Sequence, residues 1–153
     1  MYKVVKRRYK KKPKNKKIRN AISSTYKGIK FRSKLELFTY KKLEEAGIKS
    51  LYEKKKFILM EGFRFGNRCV EPHKSKGYID ITTKIRDITY TPDFVDPNGK
   101  WIIEVKGFAN DVFPIKWKLF KKHLMDHGYD CVLFLPKNQK QVLETIELIK
   151  QID

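Results

Sequence analysis

Cysteine is scarce in this 153-residue chain, and acidic residues are outnumbered. Two cysteines, Cys69 and Cys131, are too few for a disulfide scaffold, and Cys131-Val132-Leu133-Phe134 reads as a buried strand thiol in a reducing compartment. Cys69 with His73 is half a zinc site at most, so no structural zinc is expected. Met1-Tyr2-Lys3-Val4-Val5 is too short for the apolar core of a signal peptide, and the basic segment that follows has no amphipathic helix with a large apolar face. No membrane partner is therefore expected. The chain has 17 Asp and Glu against 36 Lys and Arg, a formal charge of +19, and its first 20 residues hold eleven bases and no acid.

The 25 basic and 17 acidic residues after position 20 leave +8 for the remaining 133. The charge is thus partly a basic tail over 1–20 and partly a property of a body over 21–153, a length that fits one domain with a real core. Such a field selects a polyanion and predicts binding that weakens steeply with salt. Lys10, Lys11, Lys12, Lys14, Lys16 and Lys17 are the densest part of it. That stretch cannot bury apolar area and is expected to be disordered when unbound. Ile18–Lys30 predicts no fixed fold.

Further along, Ser33 followed by Glu36 matches a capping box, and Gly47 supplies a stop, which predicts a helix over 33–46. At 100° per residue, Phe38, Leu35, Ala46, Thr39, Leu43 and Tyr40 share one arc, and Glu36 falls inside it. A carboxylate on that side either caps its own helix or meets positive charge in the body. Residues 50–60 read as a strand. Residues 61–78, with three glycines, a proline and four bases, read as a long excursion or a twisted hairpin that either touches phosphate or is solvated surface. Residues 78–91 have a β-rich composition with a phase change between Ile85 and Ile88. Helices are expected over 111–125, with Ile115, Leu119, Phe120 and Leu124 facing the sheet, and from Asn138 onward with Val142, Leu143, Ile146 and Ile149 inward. Between them lies a strand over 129–135. This order suits an α/β fold with a mixed central sheet flanked by helices.

Pro92 limits ladder bonding, so Asp93 belongs at a strand end, and Asp96-Pro97-Asn98-Gly99 is a turn that returns the chain as Trp101–Lys106. In that return strand Glu104 and Lys106 share one face, while Ile103 and Val105 share the other. Charges in so apolar a segment are costly unless paired or bound to metal. Asp93, Glu104 and Lys106 together suit a divalent-metal nuclease site, with Mg²⁺ or Mn²⁺, one or two ions, held by oxygen ligands. Glu36 and the backbone carbonyl of Val105 are candidate further ligands.

Phe31-Arg32-Ser33-Lys34-Leu35-Glu36, Tyr90-Thr91-Pro92-Asp93-Phe94 and Glu104-Val105-Lys106-Gly107 together resemble the phage endonuclease I family of four-way junction resolvases. That family lies in the PD-(D/E)xK nuclease superfamily, with its restriction-endonuclease-like fold. The resemblance covers roughly 31–108 and implies Glu36, Asp93, Glu104 and Lys106 as catalytic residues. It also implies a homodimer acting inside the cell, in the host cytoplasm if the gene is phage-borne. Its products would carry a 5′-phosphate. The 61–78 insert and the long basic tail depart from the family. Arg32, Lys34, Lys116 and Lys118 join the tail lysines as candidate contacts to branched or duplex DNA. Two other readings remain open: a duplex-nicking or restriction-like nuclease of the same fold, and a non-catalytic nucleic-acid-binding or virion protein.

Overall fold

The computed structural model describes residues 22–107 and 112–152. The expectations for Lys10, Lys11, Lys12, Lys14, Lys16 and Lys17 lie outside these residues. Within 18–30, where no fixed fold was expected, the described part forms a hairpin: β1 (Ser24–Tyr26) pairs antiparallel with β2 (Ile29–Phe31). Its turn is Lys27-Gly28, both at positive φ, the two-residue arrangement whose twist matches the flanking strands. Three residues on each side are too few for alternation to show in the sequence. Phe31 is fully buried and anchors the hairpin against the first helix, its ring 5.1 Å from that of Tyr40.

Helix α1 (Lys34–Glu45) starts where the capping box places it, with Ser33 as N-cap accepting the Glu36 amide. Glu36, Thr39 and Leu43 are buried, with Leu35, Phe38, Tyr40 and Ala46 packed beside them, as the wheel predicts. The strand expected over 50–60 is two: β3 (Leu51–Tyr52) and β4 (Phe57–Met60). Residues 78–91 likewise divide. β5 (Val70–His73) and β6 (Gly77–Asp80) form their own hairpin, and β7 (Ile88–Tyr90) pairs with β4. The phase change before Ile88 marks this division.

The main sheet adds β8 (Phe94–Val95), β9 (Trp101–Ile103) and β10 (Val132–Phe134), in the order β10-β9-β8-β3. Only β9 and β10 run parallel, so the sheet is mixed. The turn between β8 and β9 closes with the Gly99 amide on Asp96 O and the Lys100 amide on Asp96 Oδ2, both 2.9 Å. Because β10 is an edge strand, Val132 is exposed, and Cys131 is half-buried just outside it rather than buried within it.

Alternation along the strands divides the interior in two. Phe94, Trp101, Ile103 and Val105 point to the layer formed by α1, β1–β2 and helix α3 (Gln139–Ile149). Val95, Ile102, Phe57 and Tyr90 point to helix α2 (Phe113–Asp126) on the other face. The α2 stripe is Phe113, Trp117, Phe120 and Leu124. Ile115, expected inward, is 62% exposed. Two stripes at helical spacing compete here, and the one with three aromatic rings buries more apolar area. In α3, Thr145 takes the inward place expected of Leu143, which is exposed.

From β4 and β7 the chain extends as a ribbon through β5 and β6. Phe63 and Ile85 exchange backbone bonds of 3.0 and 2.8 Å, and the Ile81 amide reaches Cys69 O at 2.8 Å. At its base the Gly62 amide donates to Asp87 Oδ1 (2.7 Å), and a Cβ at Gly62 would stand 2.6 Å from Ile85 O. Gly62→Ala must therefore separate the two strands there, at a cost of about 1–3 kcal/mol. The expected result is faster proteolysis between 61 and 87, measured on intact chain by mass spectrometry. Cleavage at the wild-type rate would show that the base tolerates the methyl group.

Candidate active site

The position of Asp93 follows from a break in the sheet. β3 and β4 run opposite β8 and β7, but Tyr52 pairs with Phe94 while Phe57 pairs with Tyr90. Four residues, 53–56, thus stand against three, 91–93, which is a bulge of one residue. Bulges re-aim side chains and locally end pairing. Here Pro92 lacks the amide for a ladder bond, Glu53 adopts φ 46°, and the Glu53 amide holds Asp93 O at 2.9 Å. Asp93 lines the cleft at the mouth of the gap.

Glu104 and Lys106 arrive from β9, whose extended backbone continues past Ile103. Their amides donate to Phe134 O and Pro136 O, both at 3.0 Å, prolonging the parallel pairing with the β10 chain. The alternation read from the sequence holds: Ile103 and Val105 enter the α1/α3 core, and Glu104 and Lys106 meet on the other side. Lys106 Nζ lies 3.5 Å from Glu104 Oε1 and 4.6 Å from the centre of the Phe113 ring. The Val105 amide donates to Asp93 Oδ2 at 2.7 Å, tying the two acid-bearing segments together.

All four residues expected to be catalytic line one open cleft of about 390 Å³, with Val105 beside them. Glu36, Asp93 and Glu104 are 7%, 9% and 5% exposed. Glu36 resolves the alternative left by its sequence position. Its Oε1 accepts the Ser33 hydroxyl (2.8 Å), and its Oε2 accepts the Arg32 amide (3.0 Å) and the Tyr52 hydroxyl (2.6 Å). It caps its own helix while lining the cleft. Burial and the Glu36 carboxylate push the Tyr52 phenol well above its usual range.

Asp93 and Glu104 are in a different condition. Burial, then the Glu104 charge and the Glu36 charge, push the Asp93 carboxyl far up from the ordinary aspartate range, against the pull of the Val105 amide and Lys106. Burial likewise raises Glu104. Glu104 Oε2 and Tyr90 Oη are buried and make no hydrogen bond of normal length among the described residues, but they face each other closely enough for the Tyr90 hydroxyl to favour the Glu104 charge and for Glu104 to raise the phenol. No group of three or more His, Cys, Asp or Glu among the described residues is placed to hold a metal ion. The oxygen ligands on offer are the Asp93 and Glu104 pair, with Glu36 committed to its cap.

The expected DNA contacts separate. Arg32 sits at the rim, paired with Glu53 at 2.8 Å, and Lys116 lines the cleft with Nζ on Thr89 O at 3.2 Å. Lys34 and Lys118 are exposed and do not line it. Tyr90, Thr89 and Phe113 are cleft residues that the sequence reading did not place. Only the position of Tyr90 just before Thr91-Pro92-Asp93 hinted at it.

The chain belongs to the family described as "Protein of unknown function (DUF1064)", whose model matches residues 10–139. The match spans every residue of the cleft and ends at the start of α3. No curated protein and no solved structure matches the chain.

The raised Asp93 carboxyl sets a pH dependence. Its folded pKa lies above the unfolded value, about 3.9, so the unfolded chain gives up its proton first as pH rises. Stability is then lost between about pH 4 and the folded value, about 8. Asp93→Asn keeps an acceptor for the Val105 amide and removes this loss. In chelator at pH 8 the variant should melt above wild type by at least about 3 °C, and at pH 4 the difference should vanish. Equal melting temperatures at pH 8 would show that Asp93 is not strained by its charge.

Proposed function

We propose that this protein is a divalent-metal-dependent endonuclease that hydrolyses phosphodiester bonds in branched DNA, resolving four-way junctions as a homodimer. In this reading its core is restriction-endonuclease-like. The observation that supports it is the buried Asp93 and Glu104 pair beside Lys106. Two buried carboxylates repel each other, and a hard cation relieves that repulsion. Asp93 and Glu104 would hold Mg²⁺ or Mn²⁺, with the Val105 carbonyl as a further oxygen. Glu36 would stabilise the ion by charge from its capping position rather than as a freely moving ligand. When bound, such an ion activates water and neutralises a phosphoryl oxygen.

The chain's own residues do the rest. Lys106 Nζ, fixed between Glu104 and the Phe113 ring, offsets charge that grows on the phosphate or holds the attacking water. Lys116 and Arg32 stand on the cleft walls where the flanking phosphates would run. The charge of +19 brings the DNA to the cleft.

The experiment compares a four-way junction, a flap and a matching linear duplex, with wild type and Glu104→Ala, in Mg²⁺ and Mn²⁺. Wild type should cut the junction symmetrically near the branch. Glu104→Ala should lose several kcal/mol of transition-state stabilisation, about 10³-fold in rate, while binding DNA as before. Mn²⁺ should raise the melting temperature of wild type and leave that of Glu104→Ala unmoved. Equal cutting of duplex and junction would make the protein a duplex nuclease of the same chemistry. No cutting and no thermal shift with any metal would make it a non-catalytic binding protein.

Removing residues 1–17 should weaken DNA binding and flatten its salt dependence, with cleavage recovered at low salt. Anisotropy titrations across a salt series would show this, and an unchanged slope would remove the tail from the binding surface.

A further inference from the structure

We propose that the ribbon from Glu61 to Asp87 is an arm that seats in a groove of double-stranded nucleic acid beside the cleft. The identity of the substrate rests on the nuclease reading above. The arm itself rests on separate observations.

No residue from 61 to 87 is buried. The ribbon is nonetheless held in register from its base to its tip, by the Phe63–Ile85 and Cys69–Ile81 bonds and then by the β5–β6 pairing of Val70 with Asp80 through His73 with Gly77. A two-stranded hairpin with no layer behind it is marginal in water. So long a segment without a covered face is suited to contact something outside the chain.

Charge selects the partner. The ribbon holds six bases against four acids, and two of the acids are engaged: Asp80 accepts Arg68 at 2.7 Å, and Asp87 caps the Gly62 amide. At the tip, Lys74 and Lys76 are exposed and make no ion pair among the described residues. Lys84 and Arg86 are exposed on the returning strand. The same basic tip on a second copy would be repelled from this one, whereas a polyanion is attracted.

Shape agrees with charge. The major groove of B-DNA, about 12 Å wide, admits a two-stranded ribbon. Of the two strands that carry the arm, β7 ends at Thr89 and Tyr90, and both of those residues line the cleft. Met60 to Lys74, fully extended at about 3.3 Å per residue, reaches at most roughly 45 Å. The tip can thus lie about one helical turn, roughly 34 Å, from a phosphate in the cleft. Tyr78, 74% exposed, sits two residues from Lys76.

The test uses the full chain in chelator, so that binding is read without cleavage. Lys74→Ala with Lys76→Ala is compared with Lys140→Ala and Lys150→Ala, which remove the same charge from α3 and its C-cap. Anisotropy on a duplex across a salt series should show the arm variant binding about three- to tenfold more weakly near 0.15 M salt. Its log–log salt slope should be smaller by about 2. The α3 variant should match wild type. Equal effects from both variants, or none from the arm, would overturn the proposal. So would a wild-type dimer that the arm variant converts to a monomer on gel filtration, since the arm would then serve a second copy. A chain that never cleaves but loses affinity through the arm keeps this proposal and loses the nuclease reading; a chain that cleaves with an arm-insensitive affinity does the reverse.

Discussion

Two carboxyl groups buried side by side on an otherwise apolar sheet face are the constraint to which the surrounding structure is fitted. Each would gain from water that the face denies it, and each raises the energy of the other's charge. The Val105 amide offsets part of this by bonding Asp93, and Lys106 offsets part by standing beside Glu104. The nearby Tyr90 hydroxyl favours the Glu104 charge as well. A fold selected for stability alone would have an apolar pair at these positions. The cost of keeping the acids is an argument that they serve a ligand.

Glu36 shows how the same residue type can be settled differently a short distance away. With three donors on its two oxygens it is satisfied within its own helix start and from Tyr52. Its contribution to the cleft is a fixed negative charge whose position the α1 cap determines. The cleft therefore has one anchored acid and two unsettled ones, and the difference lies in the number of hydrogen bonds rather than in burial.

Much of the candidate site was legible in the sequence because it depends on short-range rules. Alternation in a strand put Glu104 beside Lys106, and the Asp96-Pro97-Asn98-Gly99 turn folded Asp93 back toward them. The capping box fixed the start of α1. What was not legible depends on competition or on distant partners. Two helical stripes in α2 were equally periodic, and burial of the Phe113, Trp117 and Phe120 rings decided between them. The β1–β2 hairpin was too short to show a period. The division of 50–60 into two strands is set by register with β7 and β8, which no local pattern reports. Tyr90 lines the cleft with Asp93 across the one-residue offset between β4–β7 and β3–β8, which is equally invisible locally.

The one-residue slip opposite Pro92 also separates two parts of the molecule mechanically. Below it, β3 and β8 are fixed to the main sheet; above it, β4 and β7 lead outward with a register of their own. Because pairing is reset at the gap, residues can be gained or lost beyond Met60 and Ile88 without moving the acids. The outer ribbon is in that sense an interchangeable attachment. What the ribbon touches can then change while the acids keep their places.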